Sequence, residues 1–164
     1  MTRVFLHGLE SSNQGTKSVF FRERFPDMML PNFTGSLDVR MQKLDRLLKG
    51  KTDIRMVGSS SGGLMAAIFT MRNEFRVDRL VLLAPALNLL GHSVRDIRKI
   101  GVPVSLYHGT NDRVIPVDKV RAVARDLFSD LAFHEVEDDH FLHHTFKTIP
   151  WERLLKNQRH RLNP

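Results

Sequence analysis

Asp53-Ile54-Arg55-Met56-Val57-Gly58-Ser59-Ser60-Ser61-Gly62-Gly63-Leu64-Met65-Ala66-Ala67-Ile68-Phe69 passes from a short β-type run into small, helix-forming residues across one Gly/Ser pentapeptide. Between a strand and a helix, G-x-S-x-G makes a sharp turn that lifts its central serine out of the sheet. The turn residue takes a left-handed backbone conformation, and side chains two positions either side would collide with it. Gly58 and Gly62 stand at those two positions. Ser60 is then the presented hydroxyl, with Ser59 and Ser61 at the variable positions. A Ser/Gly loop capping a helix fits the five residues as well. The rest of the chain decides between them.

A serine is a poor nucleophile at neutral pH; it needs a base to take its proton and an acid to orient that base. Pro103-Val104-Ser105-Leu106-Tyr107 reads as a buried strand, and His108-Gly109-Thr110-Asn111-Asp112-Arg113-Val114-Ile115-Pro116 as the loop leaving it. Ligands of an open parallel sheet sit at the carboxyl ends of its strands, so this loop points Asp112 toward the site. A solvated Asn-Asp turn is the simpler reading of the same residues. Leu131 to Val136 is the last expected strand, and Glu137-Asp138-Asp139-His140 follows it directly. Among eight histidines, His140 alone comes immediately after the strand that follows the Asp112 loop. His134 lies inside that strand, and His143 and His144 fall in the next turn. His7 and His108 belong to other loops of the same edge and shape the site. The candidate order is Ser60, Asp112, His140.

Strands are expected at Arg3–Leu6, Asp27–Leu30, Asp53–Val57, Arg79–Leu83, Val102–Tyr107 and Ala132–Val136. Between them Leu37, Met41, Leu44 and Leu48 recur at helical spacing, with Ser36 or Thr34 as N-cap. Val117, Val120, Ala124 and Leu127 do the same after Pro116, and Pro150 starts a terminal helix through Trp151, Leu154 and Leu155. Apolar strands alternating with helices imply a parallel sheet covered on both faces. The predicted fold is a three-layer α/β sandwich with a mostly parallel sheet of about six strands. It forms one domain over residues 1–164. Phe20-Phe21, Met28-Met29 and Trp151 are read as core rather than as an acyl-binding patch.

Four pieces of the chain together resemble a compact α/β-hydrolase of the bacterial esterase-like type. They are Val4-Phe5-Leu6-His7-Gly8, Gly58 to Gly62, Gly109-x-x-Asp112 through Pro116, and Asp139-His140, in the family's order. The resemblance implies a Ser60–His140–Asp112 triad, with the backbone amides of Leu9 and Ser61 as oxyanion donors. Losing one such donor typically costs roughly 3–4 kcal/mol of transition-state stabilisation. Glu10, Ser11 and Ser12 follow the first donor and are expected at the mouth of the site, where a hydroxyl could hold substrate. The chain departs from larger members of that family in two ways. It enters almost directly on the His-Gly strand, and only Asn88 to Val102 separate Ala84-Pro85 from the next strand. A cap domain does not fit there, so an open site is expected.

The implied activity is hydrolysis of a carboxylic ester or acyl thioester through an acyl-enzyme, needing no metal or organic cofactor. A peptidase or amidase would use the same residues against a poorer leaving group. A non-catalytic binding module on the same scaffold would have no physical reason to keep all three side chains. The apolar and charged fractions, 41% and 26%, are those of a soluble globular protein. Neither a membrane-spanning run nor a signal-peptide core is present, so a cytoplasmic location is expected. Cysteine is absent, which excludes disulfides and thiolate metal sites. The net charge of +7 is spread over helices with acidic neighbours and reads as a solvated surface, leaving an anionic substrate such as a phosphate-bearing thioester as the functional reading. Lys156 to Arg161 is the one local basic cluster; without interleaved aromatics it argues against nucleic acid.

Overall fold

The computed structural model describes residues 1–94 and 97–156. Five parallel strands, β1 (Thr2–Leu6), β2 (Ile54–Ser59), β3 (Val77–Leu83), β4 (Val104–Gly109) and β5 (Leu131–Val136), lie side by side in sequence order. The helices are α1 (Thr16–Arg24), α2 (Leu37–Leu47), α3 (Ser61–Asn73), α4 (Val117–Leu127) and α5 (Trp151–Leu155). The open, parallel three-layer architecture is the one expected.

The sixth expected strand, Asp27–Leu30, is reduced to one bridge. Met29 pairs with Val4 on the edge of β1 away from β2, through Met29 N–H to the Arg3 carbonyl and Phe5 N–H to the Met29 carbonyl. Pro31 follows at once, and a proline has no N–H with which to extend a ladder. The bridge still matters, because the chain leaves β1 toward one side and returns to β2 on the other. In such sheets the reversal opens a crevice at the carboxyl ends of the strands.

Side chains alternate across the sheet, except that a register shift between Ile54 and Arg55 leaves Val77 and Leu80 of β3 on the same face. Val4, Leu6, Ile54, Met56, Leu80, Leu82, Val104 and Leu106 pack against α2, α3 and α4. Phe5, Val57, Val81, Leu83 and Tyr107 face the other way, toward α1, α5 and the segment around Phe146. Helix α2 is capped by Ser36, whose hydroxyl accepts from Val39 N–H. Phe21 and Trp151 meet edge-on, ring centroids 4.9 Å apart, and the indole N–H donates to the Phe146 carbonyl at 2.8 Å. Phe21 and Met28 are buried, while Phe20 and Met29 are half-buried against the two core clusters. These residues are core, as the spacing indicates. Residues 87–94 form short 3₁₀ turns kinked at Gly91, and no cap domain is inserted among the described residues there. Past Lys156, the basic cluster lies outside the described residues.

Trp151 is 2% exposed and touches Phe20, Phe21 and Phe146. Trp151→Ala is expected to cost about 3–5 kcal/mol in urea unfolding. A loss under about 1 kcal/mol would mean that α5 does not close this face.

Candidate active site

The turn after β2 puts Ser60 at φ 54°, ψ −118°, a conformation that only strong surrounding contacts can hold in a non-glycine residue. Those contacts are hydrogen bonds. Ser60 N–H donates to the Leu83 carbonyl at 3.0 Å, and the Ser60 carbonyl accepts from Gly63, Leu64 and Ala86 at 3.0–3.2 Å. The glycines act at longer range than their spacing suggests. A Cβ on Gly62 would run into the Leu6 carbonyl of β1, and one on Gly58 would lie 2.5 Å from the Gly62 oxygen. They let the first turn of α3 rest on the sheet, beside the crevice between β1 and β2.

The structure brings Ser60, His140 and Asp112 into one hydrogen-bonded line. His140 Nε2 is 3.1 Å from Ser60 Oγ, and His140 Nδ1 is 2.7 Å from Asp112 Oδ2. The Asp112 side chain is wholly buried, and its Oδ1 accepts from Val114 and Ile115 N–H, each at 2.8 Å. It is therefore no solvated turn residue. The geometry leaves Nδ1 as donor to the carboxylate and Nε2 as acceptor for the serine proton.

Leu9 follows Gly8, on which a Cβ would sit 3.4 Å from Ser60 Cβ, so this loop runs against the serine. Ser61 is the first residue of α3, where the backbone N–H has no acceptor within the helix. Both amides thus belong to segments that flank Ser60. Ser12 Oγ accepts from Gln14 N–H at 3.1 Å, and its carbonyl accepts from Ser18 Oγ at 3.0 Å; this hydroxyl shapes its own turn. Glu10 and Ser11 are exposed.

Two roles, those of Asp138 and Arg40, escape sequence reasoning, while His7 and His108 stand on the site-shaping loops where they were expected. Asp138, 4% exposed, takes Asp139 N–H on one carboxylate oxygen and His144 and Thr145 N–H on the other, at 2.7–3.0 Å. Burial raises its pKa, but these donors outweigh burial and hold it below the usual carboxylate value. Its carbonyl also accepts from Asn111 N–H, and a Cβ on Gly109 would collide with that same oxygen. One residue therefore ties the His140 loop to the Asp112 loop. Its only sequence signal is an aspartate pair ahead of His140, a common turn former. His108 Nε2 donates to the Ile115 carbonyl at 2.9 Å and lies 3.1 Å from Asp112 Oδ2, while its buried Nδ1 has no partner. His7 Nδ1 donates to the Gly8 carbonyl, and its Nε2 accepts from Phe33 N–H at 2.8 Å. Arg40, 5% exposed, donates to the Gly35 and Leu9 carbonyls behind that loop. His134, His143 and His144 do not reach Ser60: His134 stacks on Tyr107, His143 pairs with Asp139, and the backbone of His144 serves Asp138.

Exposed apolar side chains stand on the loops around the serine: Leu9 after β1, Leu89 after β3, Val114 beside Asp112, and Phe141 next to His140. Among the described residues no group of three or more His, Cys, Asp or Glu could hold a metal ion, and no helix is long and apolar enough to cross a membrane.

Solved structures share this architecture. A protein of the α/β-hydrolase superfamily from Xanthomonas campestris pv. campestris superimposes with TM-score 0.67 at 24% identity, covering 87% of this chain and 89% of that one. The fold is that of the α/β-hydrolases. Est1E of Butyrivibrio proteoclasticus, solved with ferulic acid bound, gives TM-score 0.72 at 16% identity over 93% of this chain and 86% of that one. The monoacylglycerol lipase of Paleococcus ferrophilus gives TM-score 0.63 at 15% identity over 82% and 83%. No protein-family model and no curated protein sequence matches the chain.

His7 and His108 make this part of the structure sensitive to acid. Burial lowers both below the ordinary value of 6.5; the Gly8 bond at His7, and the Ile115 bond and Asp112 charge at His108, only partly offset it. The unfolded chain then takes up protons that the folded chain refuses. Stability contributed by these rings is complete above pH 6.5 and is lost as pH falls through 6.5 toward the folded values. The Tm should fall on acidification from about pH 7.5 to 5.5, and His108→Gln should flatten that slope. An unchanged slope in the variant would contradict the assignment.

Proposed function

We propose that the protein is a cytoplasmic serine hydrolase acting on a carboxylic ester or acyl thioester with an apolar acyl group. The observation that carries this reading is His140, 3.1 Å from Ser60 Oγ and 2.7 Å from the buried Asp112 carboxylate. Ser60 Oγ attacks the carbonyl carbon while His140 Nε2 takes its proton. Asp112 fixes the imidazole tautomer and stabilises the imidazolium that forms. The negative charge growing on the carbonyl oxygen is met by the amides of Leu9 and Ser61, the latter at the positive end of α3. His140 returns the proton to the leaving alkoxide or thiolate, and the acyl-enzyme is then cleaved by water activated at the same nitrogen.

The elbow, the open rim and the fold shared with an esterase and a lipase support ester chemistry. Leu9, Leu89, Val114 and Phe141 give the acyl chain an apolar surface on every loop around the serine. Such a rim is exposed, and it favours short or medium acyl groups lying across it over long chains that need an enclosed tunnel. The substrate is a small molecule, and no cofactor takes part in the steps above.

Matched p-nitrophenyl esters, acyl thioesters and anilides of two to eight carbons test the reading. Ester and thioester turnover should exceed anilide turnover by orders of magnitude. Ser60→Ala should reduce kcat/KM to background, and Asp112→Asn should lower kcat by roughly 10³–10⁴ with little change in KM. Anilide turnover matching the ester would make the protein an amidase. Turnover that survives Ser60→Ala would remove Ser60 from the chemistry.

A further inference from the structure

At the end of the sheet opposite Ser60, the register places three arginines in a row. Arg3 pairs with Arg55 across β1 and β2, and Arg55 with Arg79 across β2 and β3. Neighbouring strands are about 4.8 Å apart, and like charges at that spacing repel unless each is compensated. Two of them are. Arg3 meets Asp27 and the Leu155 carbonyl, and Arg55 meets Asp78 together with the carbonyls of Leu154 and Lys156 at the end of α5. Arg79 has no acceptor among the described residues, and its Nε is shut off from solvent with no hydrogen-bond partner.

Arg79 lines a cavity of about 660 Å³, together with Arg55, Arg98, Glu74, Asp78 and Phe75. Both carboxylates there are already engaged. Asp78 holds Arg55, while Glu74 holds Arg98 and the Gly101 N–H. One guanidinium is therefore in excess. Phe75, on the same wall, is 88% exposed, the highest value among the large apolar side chains described. An exposed ring beside an unpaired guanidinium matches a ligand with a flat apolar body and an anionic head. A planar carboxylate fits the donor fork of Arg79 in a bidentate pair and brings the single negative charge that the wall lacks.

We propose that this cavity binds an aromatic monocarboxylate, its carboxylate on Arg79 and its ring against Phe75. The site is separate from the proposed catalytic serine. Arg79 lies four residues before Leu83, whose carbonyl holds Ser60, so about 13 Å of strand divides them. The proposal does not depend on the hydrolase reading.

Calorimetric titration with 2-naphthoate tests it, with acetate and inorganic phosphate as parallel arms. Naphthoate should bind saturably, and acetate and phosphate should bind more weakly. Arg79→Gln should weaken naphthoate binding roughly tenfold to a hundredfold, the worth of one or two charge-assisted hydrogen bonds. Phe75→Ala, at an exposed position where folding is not at risk, should weaken it several-fold. Ser60→Ala should leave the affinity unchanged, which separates this cavity from product binding at the triad. Absence of saturable binding, equal affinity in Arg79→Gln, or loss of binding in Ser60→Ala would each overturn the proposal. Phosphate binding more tightly than naphthoate would overturn the aromatic carboxylate.

Discussion

The site depends on one close approach, where the first turn of α3 lies against the end of β1. Gly62 has no Cβ because the Leu6 carbonyl occupies that space. The contact fixes the entry of α3 beside the crevice, and with it the left-handed conformation of Ser60. The helix start supplies the Ser61 amide, and the β1 end supplies His7, Gly8 and Leu9. A methyl group at position 62 would have to push these two elements apart, and backbone on both sides leaves nothing flexible to yield. Around this contact, the carbonyl of Ser60 gathers three N–H donors, and its amide is held by β3. Placement of Ser60 is thus a property of three strand ends rather than of one loop.

A second lock serves the other half of the line. Asp138 spends its carboxylate on the loop that carries His140 and its carbonyl on the loop that carries Asp112. The His140 imidazole is thereby set relative to the Asp112 carboxylate. His108 adds a neutral donor to the same carboxylate; a cation in that place would compete with His140 for the charge on Asp112. Its burial and its unpartnered Nδ1 oppose protonation, so the ring serves Asp112 without taking over its charge. Such pre-set geometry is what electrostatic catalysis requires, since reorganising dipoles during the reaction would cost part of the gain.

Most of the fold was legible because strands inside a parallel sheet leave largely apolar runs, as in β1 to β4. The edge strand β5, with no fully buried residue, shows only a partial run before His134 and Glu135. Asp27–Leu30 looked the same locally, yet Pro31 cuts its ladder after one pair; the run records burial, not pairing. The line of Ser60, Asp112 and His140 was legible from its order after successive strands. Asp138 and Arg40 were not, and for His7 and His108 only the loop was legible and not the partners; the contacts of Asp138, Arg40 and His7 join segments far apart in sequence. Ser12 stands on the loop after β1, where its hydroxyl accepts from Gln14 N–H two residues on, a local contact that residue type alone does not reveal. The arginine row could not be seen at all without the register. Arg3, Arg55 and Arg79 are separated by dozens of residues and become neighbours only when three strands align.

The central claim is that Ser60 is activated by His140. Incubation of the purified protein with a fluorophosphonate probe, followed by peptide mass spectrometry, reads that activation without knowledge of the substrate. Wild type, Ser60→Ala and His140→Ala would be treated side by side after circular dichroism has shown each to be folded. A phosphonate adduct on Ser60 in wild type, absent from both variants, is the predicted result. A folded wild-type protein that takes no label, or an adduct on Ser60 that persists in His140→Ala, would contradict it.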